Sequence, residues 1–244
     1  TEAGDYDRAA EALRAAKAHP SFGVSPFHQW VIAIIEANLA DRRADHPSRL
    51  AALTHGFTIA RENGYSYAPG IFATGIMPRM CAIALEHGID VAFVRQLIRQ
   101  RALSAPADAT ASWPWAVRVR TLGRFAIERD EAPLSLSRKE QKKPLDLLRL
   151  LIAEGGAGVN AKQLAQLLWP DAAGDAAQNS FDNALHRLRK SLGSDRSIVL
   201  QDGGLTLDPG TCWIDIWALE RCFTQSDALL HTGGNEADLD GIVM

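Results

Sequence analysis

The sequence is short of several things at once. It has three cysteines, Cys81, Cys212 and Cys222, odd in number and far apart with no CxxC pair. That excludes a disulfide framework and a zinc knuckle and leaves reduced core thiols. No stretch approaches the roughly 18 apolar residues of a membrane span. The start, Thr1-Glu2-Ala3-Gly4-Asp5, lacks the basic and apolar runs of a signal peptide. No membrane partner is expected, and the location expected is cytoplasmic. An excess of cations is missing too: 26 Lys+Arg stand against 29 Asp+Glu, a net charge of −3. A uniformly basic nucleic-acid coat is excluded, whereas a local basic face is not. The common catalytic signatures are absent, with no GxxxxGK phosphate loop, GxSxG elbow, HExxH pair or EF-hand loop. The seven histidines show no i, i+4 pairing. Gly155-Gly156-Ala157-Gly158 follows a helical pattern, whereas a dinucleotide fingerprint follows a strand. The chain reads as a non-enzyme that needs no cofactor.

What is present is an ordinary globular composition, 244 residues with 47% apolar, enough for one or two domains. The chain opens at Thr1 already inside a helical pattern, as a piece of a longer protein would. From residue 5 to 103 the periodicity is helical. Tyr6, Ala9, Ala10 and Leu13 share a face of a first helix ended by a Pro-Ser-Phe-Gly turn. Ser25-Pro26 predicts the start of a well-buried helix carrying Trp30, Ile34 and Leu39. A helix from Pro47 to Asn63 closes on Gly64. Residues 69–87 form a further apolar segment broken or kinked at Pro78, and Asp90 is expected to cap a short helix ending near Leu103. These helix pairs recur at roughly 40 residues, near the tetratricopeptide period, so 1–103 is expected to be a tetratricopeptide-like helical repeat domain. An irregular helical bundle is the other arrangement this periodicity allows.

Residues 104–112, SAPADATAS, carry no large apolar side chain and read as a linker. Beyond them the period changes to two. Val117, Val119, Leu122, Phe125 and Ile127 alternate with arginines, and an Asp130-Glu131 turn precedes Leu134 and Leu136, predicting three short antiparallel strands. A helix from Ser137 to Gly155, a bridging strand at Val159-Asn160, a helix over 161–169 and a longer helix from about Asp175 to Leu192 follow. Asp202-Gly203-Gly204 between two apolar triplets predicts a hairpin.

A helix, a tight turn, a second helix and a hairpin make the order of a winged helix, whose last helix enters the major groove of DNA. On a helical wheel Phe181, Leu185, Leu188 and Leu192 form the anchoring sector, and Asn179, Asn183, His186, Arg187 and Lys190 lie opposite. Asn can pair with adenine and Arg with guanine, while Lys and His suit phosphates. Arg138, Lys139, Lys142 and Lys143 form a second basic cluster at the start of the first helix, where cations oppose the helix dipole. A phosphate backbone would account for them, as would a solvated turn.

These residues also resemble a family. Residues 113–220, through VRTLGRFAIERDEAPL, QLLWPD, HRLRKSLG and WIDIWALE, resemble the OmpR/PhoB-type winged helix of SARP-like bacterial transcriptional activators. The upstream helices look like those of MalT-like regulators. The resemblance implies an α+β, mainly α protein: a helical-repeat domain (1–103), a linker (104–112) and a winged helix-turn-helix domain (113–209). That domain would hold a four-stranded N-terminal sheet and a C-terminal hairpin wing. It further implies DNA-facing positions at Asn179, Asn183, Arg187 and Lys190 and a loop from Pro170 to Asp175 able to touch RNA polymerase. Residues 210–244 would be one helix, about 215–230, and an acidic tail, the start of an activator-type helical domain. The expected function is sequence-specific binding of double-stranded DNA by a transcriptional regulator, an activator by the resemblance. A small-molecule or protein signal would be received at the helical repeats. The alternative is a protein-interaction scaffold that binds no DNA.

Overall fold

The computed structural model describes residues 2–134, 142–172, 174–193 and 195–232. It is mainly helical with two small sheets, and its contacts separate two units, Thr1–Pro114 and Trp115–Met244. Among the described residues no helix is long and apolar enough to cross a membrane.

In the first unit α1 (Glu2–Ala18), α2 (Pro20–Val24), α3 (Pro26–Arg42), α4 (His46–Asn63), α5 (Pro69–Ala73), α6 (Ile76–Glu86) and α7 (Val91–Arg101) follow one another. The α3 helix starts where Ser25-Pro26 predicts, with Ser25 Oγ accepting from the His28 amide at 3.4 Å. It packs most extensively on α4, and Trp30, Ile34, Leu53 and Phe57 of this pair are fully buried. Each such side chain withdrawn from water contributes about 1.5–3 kcal/mol. Trp30 stacks on Tyr65, and Phe27 meets both rings edge-on.

Three local expectations are corrected. The Pro-Ser-Phe-Gly segment is the short helix α2 rather than a turn. The break in 69–87 falls at Gly75, whose φ of 72° interrupts the helix, while Pro78 sits in the first turn of α6, where a missing amide hydrogen costs nothing. Asp90 makes no capping bond: its φ is 41° and its carboxylate pairs with Arg61 at 3.0 Å. The segment read as a linker is also fastened within this unit. Arg79 donates to Asp108 at 2.8 Å, Thr110 and Ser112 share a hydrogen bond, and Ala109 is buried. Small side chains let its backbone lie close to the helices.

The second unit contains β1 (Val117–Arg120), β2 (Ala126–Arg129), β3 (Ala132–Pro133), α8 (Lys142–Ala153), β4 (Val159–Asn160), α9 (Ala161–Leu168), α10 (Gly174–Leu192), β5 (Ile198–Gln201), β6 (Gly204–Leu207), β7 (Cys212–Ile214) and α11 (Asp215–Thr232). One sheet has the order β3-β2-β1-β7. Its fourth strand is therefore not N-terminal: β7 comes from beyond the hairpin and pairs parallel with β1, Val117 facing Cys212 and Val119 facing Ile214. The expected domain end at 209 cuts this sheet. Cys212 and Ile214 are buried and Trp213 less so, the alternation of a strand with one covered face. The other sheet, β4-β6-β5, is wholly antiparallel. Between the sheets' strands and the helices lies a core that includes Val119, Leu148, Leu151, Leu164, Phe181 and Leu205. Pro144 lies in the first turn of α8 and is buried.

Candidate nucleic-acid interface

The segment from β4 to β6 carries the candidate surface, and local chemistry explains its shape. Asn160 ends β4 and caps α9, its Oδ1 accepting from the amides of Lys162 and Gln163 at 2.9 and 3.2 Å. Pro170 and the residues around it stop α9, and α10 begins at Gly174. The last turn of α10 is closed from the sheet: Arg129 of β2 donates to the Ser191 carbonyl at 3.2 Å, a cation set against the negative end of the helix. The hairpin turns through Asp202 and Gly203, whose φ values of 51° and 77° are both positive, as the two-residue turn of twisted strands requires.

Along α10 the apolar set is buried as predicted, with Phe181, Leu185, Leu188 and Leu192 each at most 3% exposed. Asn179, Asn183, His186, Arg187 and Lys190 are all exposed. Their side chains form no hydrogen bond or ion pair among the described residues. Spaced at i, i+4, i+7, i+8 and i+11, they run as one stripe, about 16 Å long at 1.5 Å per residue. A neighbouring cation behaves differently. Arg189 turns back to the hairpin and its Nε donates to the Ile198 carbonyl at 3.0 Å, holding β5 against α10.

The second basic cluster is divided. Arg138 and Lys139 lie outside the described residues, and Lys142 is exposed. Lys143 is exposed but engaged: its ammonium donates to the Leu168 carbonyl at 2.5 Å and lies 5.2 Å from the centre of the Trp169 ring. It satisfies the C-terminal end of α9, where carbonyls lack helical partners.

Sequence reasoning passed over three features of this surface. Asp175 and Asp182 are exposed on the flank of the α10 stripe, and Gln178 donates to Asp182 at 3.0 Å. The same wheel that picked out the asparagines places both there. Lys162, in the first turn of α9, is an exposed cation. The hairpin exposes Val199 and Leu200, each 41%, with Asp202 at its tip. Among the described residues no three His, Cys, Asp or Glu side chains come together as a metal site. No protein-family model, curated protein or solved structure matches the chain.

Proposed function

We propose that the second unit is a winged helix-turn-helix DNA-binding domain of the OmpR/PhoB type and that the protein is a sequence-specific transcriptional regulator. The observation that carries this reading is the α10 stripe: five polar or basic side chains, exposed and without partners among the described residues, opposite a fully buried apolar sector. A major groove about 12 Å wide admits a helix. A stripe of about 16 Å spans roughly five base-pair steps of about 3.4 Å each. Asn179, Asn183 and Arg187 then read base edges, Arg187 by paired bonds to guanine. Lys190, His186, Lys142 and the cluster containing Arg138 and Lys139 serve phosphates. Lys143 contributes less than its neighbours, because its ammonium already holds α9. Asp182 beside the stripe accepts from an exposed cytosine amine and repels phosphate, so it favours sequence over bulk affinity. The loop around Pro170 and Asp171 is exposed and available to RNA polymerase. The first unit serves as the input region.

The balance of charge makes position decisive. Residues 113–209 hold 14 basic and 12 acidic side chains, too slight an excess for affinity by net charge. Selection of random duplexes by the full chain, followed by binding of Arg187→Ala, tests the reading. The parent is expected to enrich one short motif and to weaken steeply with salt. The variant should lose about 1–3 kcal/mol on that motif with relaxed preference at one position. No enrichment, or an unchanged affinity for the variant, refutes the DNA reading and leaves a protein-interaction scaffold, which the acidic hairpin tip and exposed Val199 and Leu200 would then serve.

A further inference from the structure

Away from α10, the second unit has a cavity of about 490 Å³ between the β1–β2 connection, α8 and α11. Phe125, Ile152, Ile216 and Trp217 give it apolar walls, and Arg149 and Glu220 are its charged lining. A second hollow of about 470 Å³ shares Gly155, Trp217 and Glu220 with it and adds Arg221 and Thr224. The two hollows therefore adjoin at one indole ring.

The walls are held before anything binds. Asp215, the first residue of α11, accepts from the Thr121 amide at 2.7 Å, the Thr121 hydroxyl at 2.7 Å and the Leu122 amide at 3.0 Å, tying the end of β1 to the helix. Burial alone would raise the carboxyl's pKa, but these bonds and that from the Ile216 amide hold it below the ordinary value, so it stays an acceptor at neutral pH. On the other side the six-membered ring of Trp217 abuts Gly156, so close that a Cβ there would fall 2.1 Å from the indole.

The charges around the cavity are open. The Arg149 guanidinium rests 4.3 Å from the centre of Phe125 and gives one nitrogen to Asp146 at 3.1 Å. Its other donors have no partner among the described residues, and neither do the Glu220 carboxylate and the Arg221 guanidinium. Next to them is uncovered apolar surface. Ile216, Leu219, Glu220 and Phe223 share a face of α11 at i, i+3, i+4 and i+7; Leu219 is 39% and Phe223 63% exposed, and Leu122 beside Thr121 is 51% exposed. The face runs about 10 Å at 1.5 Å per residue, beyond the reach of a small molecule seated in the cavity. A preformed aromatic hollow with a rim of this kind has the make-up of an interface centre, where buried aromatic and arginine contacts dominate.

We propose that this groove docks a segment of another protein that presents two large apolar side chains, aromatic by preference, with carboxylates to either side. The apolar pair fills the hollows around Trp217. Arg149 and Arg221 meet the flanking carboxylates, and a planar guanidinium held over a ring is already oriented for paired bonds. Glu220, between them, excludes an unbroken acidic run, so the acids must stand outside the apolar pair. None of these residues lies on α10, so this proposal and the DNA reading stand or fall separately.

Fluorescence anisotropy with the full chain tests it. The probe is a fluorescein-labelled synthetic peptide with two phenylalanines four positions apart and aspartates outside them. One control replaces the aspartates by lysine and another the phenylalanines by alanine. The aspartate peptide is expected to bind at least about tenfold more tightly than either control, from the desolvated charge pairs and the buried rings. Phe223→Ser and Arg149→Gln should each weaken it about fivefold or more, and Glu220→Gln should strengthen it about twofold by removing a like charge. All three side chains are well exposed or replaceable without burying a polar group, and circular dichroism confirms that the variants are folded. Equal binding of the lysine peptide, no response to the variants, or weaker binding by Glu220→Gln overturns the proposal. So does uptake of the dye anilinonaphthalene sulfonate with no binding of the peptide, which would make the cavity a small-molecule site.

Discussion

Each unit of this protein withdraws a carboxylate from water, and each satisfies it by different means. In the first, Asp41 of α3 has a side chain only 3% exposed and meets two guanidiniums, Arg49 of α4 at 2.8 Å and Arg79 of α6 at 2.6 Å. In the second, Asp215 meets mainly backbone amides, those of Thr121, Leu122 and Ile216. Burial works to raise both pKa values, and in both the partners overcome it and leave the carboxyl below its ordinary range. The cost of failure differs. An arginine deprived of its acid remains a buried charge, whereas a deprived amide is one unsatisfied donor. Asp41 ties three helices through side chains, while Asp215 ties a strand to a helix through the backbone itself.

That contrast can be broken from either side, and amide hydrogen exchange, which reports each unit separately, is the suitable measurement. The largest effect is expected from Asp41→Ala. It strands Arg49, whose side chain is 12% exposed, and should destabilise the first unit by about 3 kcal/mol while leaving exchange in the second unchanged. Arg79 softens the loss, since it is 42% exposed and also holds Asp108. A loss below about 1 kcal/mol would show that the ion cluster is dispensable. Next comes Gly156→Ala in the second unit. The added methyl would overlap the Trp217 ring, and the φ of 71° is unfavourable for alanine, so a loss of about 2–3 kcal/mol is expected, with the tryptophan environment altered in fluorescence. Asp215→Ala should cost about 1–2 kcal/mol, confined to the second unit and felt at the Thr121 and Leu122 amides. If it equalled Asp41→Ala, fixed amides and mobile guanidiniums would be equivalent partners.

Acid gives the smallest and sharpest comparison. A carboxylate whose folded pKa is depressed lends its full contribution above the ordinary value near 4, and loses it as pH falls through the folded value. Both units should therefore weaken below about pH 4. Asp41→Asn should flatten that decline in the first unit only, and Asp215→Asn in the second only. Parallel flattening in both units by either variant would contradict the separation of their carboxylates.

How far all this could be read from the chain depends on whether a feature is local. The Ser25-Pro26 start, the left-handed end at Gly64, the Asn160 cap, the Asp202-Gly203 turn and the two faces of α10 each depend on a few neighbouring residues, and the sequence shows them. Some errors were local, the short helix starting at Pro20 and the break at Gly75, and others came where a neighbour far away competes. Asp90 looks like a cap and is taken by Arg61, and Lys143 looks like a free cation and is taken by α9. Arg189 and Arg187 look alike by composition and differ by about half a turn of the wheel.

By itself the sequence determined most of the helical and extended segments, several of their caps and turns, and which stripe of α10 is apolar, because periodicity and capping act within one or two turns. Only the tertiary structure decided that β7 joins β1 as a parallel fourth strand, that Asp41 and Asp215 find their partners, and that the segment after α7 is fastened by Arg79. It alone produced the groove around Trp217. Those outcomes join residues as far apart in sequence as Val117 and Cys212, and such contacts follow from how whole elements pack, which no local pattern records.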